Sequence, residues 1–258
     1  MMMYNLLRLY QSHLEESYSK ETARTYTQRL TALFVGQSLT DTLARFDIDK
    51  ALDNLSRIKY KNHFAQAKNA LLHFCEFQNI PLEGAHLETI ALIEKKTKRK
   101  YRKQKPYAFK RVQNTINHLR NQKLKLSYQT LLKTGLRVSE LAQITPSDCL
   151  MSADEISFSF LGKGKKQERV TVYRAEDKLF FARLKNIIDQ TGKTTKVFYS
   201  ADHLHKKAKE YGFKCHDLRR VYAKREYQKT KSKSHVKAKL RHANIRTTNI
   251  YLRSRIKI

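Results

Sequence analysis

Glycine and proline are scarce, with 7 and 3 of 258 residues. So few chain breakers exclude a collagen-like chain and a fold dominated by loops. Cysteine is too sparse for a disulfide framework. Cys75, Cys149 and Cys215 are odd in number and far apart, which points to a reducing, cytosolic setting. No segment approaches the ~18 consecutive apolar residues of a membrane span. The start, MMMYNLLRLYQSHLEES, carries acids where a signal peptide carries its apolar stretch, so export is not expected. Acidic residues are also few: 23 Asp+Glu face 53 Lys+Arg, a formal charge of +30. What remains is 40% hydrophobic and 10% aromatic, enough to bury a core. A polyanion is the expected partner, nucleic acid first.

The charge is unevenly placed. Residues 1–88 hold ten bases and ten acids, so the whole surplus falls in residues 89–258. That shift suggests two units with different duties. The densest run follows the change at once: Lys95, Lys96, Lys98, Arg99, Lys100, Arg102, Lys103 and Lys105, ending at Pro106. Like charges repel and keep a chain extended until something neutralises them. The run therefore reads as a linker over 89–106 that lies along a phosphate backbone, with a solvated helix face as the plainer alternative.

Residues 1–88 read as a bundle of four or five short helices. Leu6, Leu7, Leu9, Tyr10 and Leu14 fit one helical face. Ser19 is placed to cap a second helix bearing Ala23, Tyr26, Leu30, Leu33 and Phe34. Thr40 or Asp41 is expected to cap a short helix through Leu43 and Phe46, and a longer one is expected from about Lys59 to Gln78. Nothing here has a catalytic arrangement. His63 and His73 lack an acid or Cys partner at metal spacing.

Residues 107–258 carry the chemistry. A helical pattern runs from Tyr107 to about Lys133 and breaks at Thr134-Gly135. It restarts in Leu136-Arg137-Val138-Ser139-Glu140-Leu141. Ile156, Phe158 and Phe160 then alternate with Ser157 and Ser159, as in a strand. Gly162-Lys163-Gly164-Lys165-Lys166 leads into Val170, Val172 and Tyr173, which makes a hairpin with a lysine-rich tip. The rest reads as helix apart from a strand candidate at Val197-Phe198-Tyr199. The expected fold class is mainly α with a small β-hairpin: a helical bundle followed by a mixed α/β domain.

TGLRVSEL at 134–141, GKGKK at 162–166, HDLRR at 216–220 and LRHANIRTTNIY at 240–251 resemble, in order, the signature segments of the tyrosine recombinases. This is the phage-integrase family, which includes the Xer proteins. The resemblance implies a core-binding domain over 1–88 and a catalytic domain over 107–258. It also implies the residue roles. Arg137 and Arg219 would stabilise the charge that builds on the non-bridging oxygens of an attacked phosphodiester, a task that suits a planar, always-charged guanidinium. Tyr251 would be the nucleophile, forming a 3′-phosphotyrosyl bond. A phenol of ordinary pKa ~10 needs a base and a cationic field for this. His216 would be that base or a donor to the phosphate, and His242 a phosphate contact. Lys163 would be the general acid for the leaving 5′-oxygen, with Lys165 and Lys166 close enough to substitute or to touch phosphates. Glu140 would orient Arg137. Arg220 and Arg241 join the linker bases as expected DNA contacts. Tyr222 and Tyr227 are the nearest rival tyrosines, at positions where the family has no nucleophile.

No metal or other cofactor is expected, because the arginines would do the electrostatic work of a divalent ion. His203-x-His205 has no apparent third ligand. Two departures stand out. The family's LGH is Leu240-Arg241-His242 here, and only seven residues follow Tyr251. The Ile256-Lys257-Ile258 tail is left to dock as a short segment, or assembly rests on other contacts. No room precedes residue 1 for a separate arm-binding domain, which favours an Xer-like layout. The resemblance implies a site-specific DNA recombinase acting on duplex DNA as a homotetramer. A type IB topoisomerase-like relaxing enzyme and a non-catalytic basic DNA-binding protein remain the alternatives.

Overall fold

The computed structural model describes residues 2–36, 46–98, 109–162, 166–254 and 256, with side chains from residue 5 onward. The chain divides into two compact units, Met1–Lys103 and Gln104–Ile258.

The first unit is helical: α1 (Met2–Ser17), α2 (Lys20–Leu33), α3 (Ile48–Ser56), α4 (Lys61–Phe77) and α5 (Gly84–Lys96). On α1 the spacing i, i+4 buries Tyr10 and Leu14, and the Tyr10 hydroxyl donates to the Ala70 carbonyl at 2.9 Å. Leu9, expected on that face, is 63% exposed, because one residue turns the helix by about 100°. Ser19 caps α2 as expected, its Oγ accepting from the Thr22 N–H at 3.3 Å. Thr40, Asp41 and Leu43 lie outside the described residues. Phe46 is not helical; the next helix starts at Ile48, where the Asp47 carboxylate accepts from the Lys50 N–H at 2.9 Å.

Helix α5 has no counterpart in the sequence reading. It runs through the expected boundary at 88, so the first part of the expected linker is helix. Burial explains this: Ile90 and Ile93, three residues apart, pack with Leu52, Leu55 and Phe64. Lys95 and Lys96 occupy the last turn, where cations complement the helix dipole. Lys98 then pairs with Tyr60 in a single parallel bridge.

The second unit comprises α6 (Phe109–Asn117), α7 (Gln122–Thr134), α8 (Val138–Leu141), β1 (Cys149–Met151), β2 (Glu155–Leu161), β3 (Gln167–Tyr173), α9 (Lys178–Asp189), α10 (Ala201–Glu210), α11 (Cys215–Thr230), α12 (Lys233–Lys239) and α13 (Ile245–Leu252). The helical stretch expected over 107–133 is two helices, because the Asn121 side chain accepts from the Leu124 N–H at 2.9 Å and starts a new one. The sheet is antiparallel in the order β1-β2-β3, with Phe158 opposite Val170. Ile156, Phe158 and Phe160 face the core. Ser157 is buried too, which its 2.7 Å bond to Thr171 Oγ1 permits. Val197 and Phe198 are buried but form no strand; one bond, from the Val197 N–H to the Ile144 carbonyl at 2.9 Å, ties this loop down.

Helix α7 lies in the apolar core and packs on α11. Its C-terminus places the site. Gly135 closes it at φ +62, its N–H bonded to the Leu131 carbonyl at 3.0 Å. A Cβ there would overlap the Tyr222 ring. Gly135→Ala is therefore expected to cost about 2–4 kcal/mol, from left-handed strain and overpacking together. Urea unfolding checks it, and a loss below about 1 kcal/mol would contradict the contact. At the other end of the unit, Ile256 is buried in the same core. Lys224 Nζ donates to the Ser254 and Ile256 carbonyls at 2.6 and 2.8 Å. Among the described residues, no helix is long and apolar enough to cross a membrane.

Candidate active site

Arg137 ends the turn after Gly135 and sits as the N-cap of α8. From there Glu140, one turn on, reaches back: its Oε2 accepts the Arg137 N–H at 2.7 Å, and its Oε1 accepts from the Arg137 guanidinium. Glu140 is 4% exposed, whereas Arg137 keeps 31% of its side chain exposed. Two more guanidiniums converge on the same carboxylate. Arg241 Nη2 donates to Oε2 at 3.1 Å, and Arg219 Nη1 lies 3.9 Å from it. Burial alone would raise the Glu140 carboxyl. The hydrogen bonds from Arg137 and the charges of Arg241 and Arg137 outweigh it and hold the carboxyl below its ordinary range.

Arg219, on α11, is 1% exposed. Its Nη1 donates to the Gly135 carbonyl and its Nη2 to the Leu240 carbonyl, so it ties the end of α7 to the end of α12. Burial, then the charges of Arg137 and Arg241, pull it down to about 10, which leaves it charged at neutral pH. Asn244 caps α13 through a 2.8 Å bond from the Arg246 N–H. That helix delivers Tyr251, 7% exposed, between two imidazoles. The His216 ring meets it edge-on at 5.0 Å and the His242 ring at 4.7 Å. The Arg220 guanidinium stands 6.0 Å from the phenol ring and pairs with Asp217 at 2.7 Å.

Both imidazoles are shifted away from protonation. Partial desolvation first, then the charges of Arg220 and Arg219, lower His216, which stays exposed on one side. Burial, then Arg219, Arg137 and Arg241, bring His242 down to about 4. Its Nδ1 is 3.0 Å from the buried Thr248 Oγ1. A histidine depressed below its unfolded value of ~6.5 binds its proton more readily when unfolded. Stability should therefore be fully present above pH ~6.5 and decline as pH falls from there toward 4. Thermal unfolding at stepped pH checks this. The decline should be shallower in His242→Gln, and equal slopes would remove His242 as the cause.

The structure thus brings together Arg137, Glu140, His216, Arg219, His242 and Tyr251 from α8, α11, α13 and the turns beside them. Lys163 and Lys165 lie outside the described residues, as do Arg99, Lys100, Arg102, Lys103 and Lys105. Lys166 is exposed at the base of the hairpin, its carbonyl accepting the Gly162 N–H at 2.8 Å. Lys95, Lys96 and Lys98 are exposed in the first unit. Arg241 differs from its expected place on a DNA backbone: its side chain is 9% exposed and turned inward, because the second Glu140 oxygen binds it. The rival Tyr222 is wedged beside Gly135, and burial pushes its phenol well above the ordinary value.

Sequence reasoning missed Thr248 and the Gly135 and Leu240 carbonyls. Thr248 was legible only as part of a helix start, and backbone acceptors carry no residue signature. Among the described residues, no group of three or more His, Cys, Asp or Glu could hold a metal ion, and His203 instead stacks on Tyr199 at 4.4 Å.

Residues 107–257 match the model of the phage integrase family. Among curated protein sequences, no match to the chain is found. Solved structures share the fold at low identity. XerH site-specific recombinase bound to its difH substrate, in a pre-cleavage complex, is 17% identical, with a TM-score of 0.60 over 89% of this chain and 74% of that one. The Tn1549 transposon integrase in complex with transposon right end DNA is 14% identical, with a TM-score of 0.62 over 96% and 95%. A lambda integrase tetramer bound to a Holliday junction is 16% identical, with a TM-score of 0.68 over 98% and 78%. With the family match spanning more than half of its residues and the whole cluster around Tyr251, the chain belongs to the phage integrase family, the tyrosine recombinases.

Proposed function

We propose that the protein is a site-specific DNA recombinase that breaks and rejoins strands through a 3′-phosphotyrosyl intermediate. It would serve DNA integration, excision, inversion or resolution. The observation that carries this reading is the setting of Tyr251, a phenol between two neutral imidazoles beside a buried arginine cluster. Buried N–H groups without partners are costly. Arg219 Nε and His242 Nε2 have none among the described residues, which suits a cluster that receives an anion.

In the proposed reaction, the Tyr251 oxygen attacks a backbone phosphorus. The O–P bond to tyrosine forms, and the bond from phosphorus to the 5′-oxygen breaks. His216, neutral at pH 7, takes the phenolic proton, and the 5′-oxygen takes a proton from Lys163. Arg137 and Arg219 stabilise the charge that develops on the non-bridging oxygens, Arg219 already fixed by two carbonyls and so needing no reorganisation. His242 contributes a phosphate contact. The new ester keeps the energy of the old one, so attack by a 5′-hydroxyl reseals the strand without ATP or another cofactor. The XerH and transposon-integrase complexes support DNA as the partner, and the lambda integrase tetramer supports four protomers at a junction.

The test is a pool of randomised, nicked duplexes incubated with the protein and then denatured. An adduct joined to the 3′ end, mapped to the Tyr251 peptide, is expected, and the trapped DNA reports the site. An adduct on the 5′ end or on another residue would overturn the assignment.

A further inference from the structure

Residue 241 occupies a backbone position suited to glycine. Arg241 has φ +54, the left-handed region that disfavours any residue with a Cβ. It closes α12 in a Schellman arrangement: the Arg241 N–H bonds the Ala238 carbonyl at 2.9 Å and the His242 N–H bonds the Lys237 carbonyl at 3.0 Å. Glycine would make the same turn without strain. The arginine side chain must therefore contribute something that offsets the backbone.

Its contacts show what. The guanidinium donates to Glu140 Oε2 at 3.1 Å, the carboxylate that holds Arg137, and lies 5.1 Å from the Phe160 ring. Phe160 is on β2, two residues before Gly162, where the lysine hairpin begins. Arg241 thus links three parts of the site: the Arg137–Glu140 pair, the root of the hairpin and the turn that carries His242.

We propose that Arg241 is a positioning residue for strand cleavage, bracing Glu140 so that Arg137 meets the phosphate in one geometry. It acts through Glu140, without touching DNA. This inference rests on the reaction proposed above. The contacts also favour this over a phosphate anchor, since the Arg241 guanidinium is already committed to a carboxylate, whereas the hydrogen bonds of Arg219 go to neutral carbonyls.

The experiment compares wild type with Arg241→Gly and Arg241→Asn, both compatible with the left-handed turn. Three quantities are read: the single-turnover cleavage rate at saturating DNA, DNA affinity across a salt series, and the thermal midpoint. Cleavage is expected to slow about 10–100-fold, with affinity and salt slope unchanged and the fold retained. In a Glu140→Gln background the same substitution should slow cleavage by less than about threefold, because the shared link is already broken. A wild-type rate in both variants would overturn the inference. So would weaker binding with a salt slope smaller by about one contact, which marks a phosphate anchor. If wild type itself forms no adduct, the reading of the site fails; if wild type cleaves and the variants keep pace, only the role of Arg241 does.

Discussion

Tyr251→Phe should leave DNA binding within about twofold of wild type and abolish the covalent adduct, a loss of at least about 10⁴-fold in cleavage. The substitution removes one oxygen and keeps the ring. That ring is 7% exposed and packed edge-on against His216 and His242, so the fold and the surface offered to DNA are preserved. What disappears is the atom proposed to bond phosphorus, and neither rival tyrosine is placed to replace it. Tyr222 is wedged against Gly135 with its phenol pushed further from ionisation by burial, and Tyr227 packs against the cluster of Ala223, Val236, Leu240 and Tyr251 without the two imidazoles that flank Tyr251. Gel analysis after denaturation, using the nicked duplexes that trap wild type, reads the result. An adduct of wild-type intensity would mean that another residue is the nucleophile, while equal loss of binding and cleavage would mean that the phenol only holds DNA.

Glu140→Ala is expected to be the most destabilising of these changes, by about 3–5 kcal/mol. Glu140 is 4% exposed and is the carboxylate on which the Arg137 and Arg241 guanidiniums close, with Arg219 at 3.9 Å. Removing it leaves cations buried together with no counter-charge, and it also frees the Arg137 N–H at the start of α8. Glu140→Gln keeps the shape and one acceptor oxygen and should cost clearly less. Denaturant unfolding of both variants checks the order. If alanine costs under about 1 kcal/mol, the arginines are not held by this carboxylate, and the arrangement of the site would need another explanation.

These two residues show how unevenly the sequence discloses the site. Tyr251, Arg137, His216, Arg219 and His242 were legible because each sits in a short motif at set spacing. Glu140 was legible as one turn from Arg137, since helical periodicity puts such a pair on one face. Arg241 was legible only as a departure from a glycine, and nothing in the motif disclosed that its guanidinium turns toward Glu140. Whether an arginine faces outward or inward depends on which carboxylate the fold brings near it, here one that lies 101 residues earlier. Helix α5 escaped notice for a different reason: the boundary set at 88 by the charge shift cuts through its apolar positions Leu87, Ile90, Leu92 and Ile93, of which Ile90 and Ile93 pack on Leu52 and Leu55.

By itself, the sequence determined the helical character, the hairpin, the break at Gly135, the excess charge of the second half and the candidates for the reacting residues. These follow from local periodicity, from backbone preferences and from motifs that are read along the chain. Tertiary structure alone decided that one carboxylate gathers three arginines, that two carbonyls fix Arg219, and that burial keeps His242 neutral beside the phenol. Those properties depend on distance and on exclusion of water, and neither exists until the helices have packed.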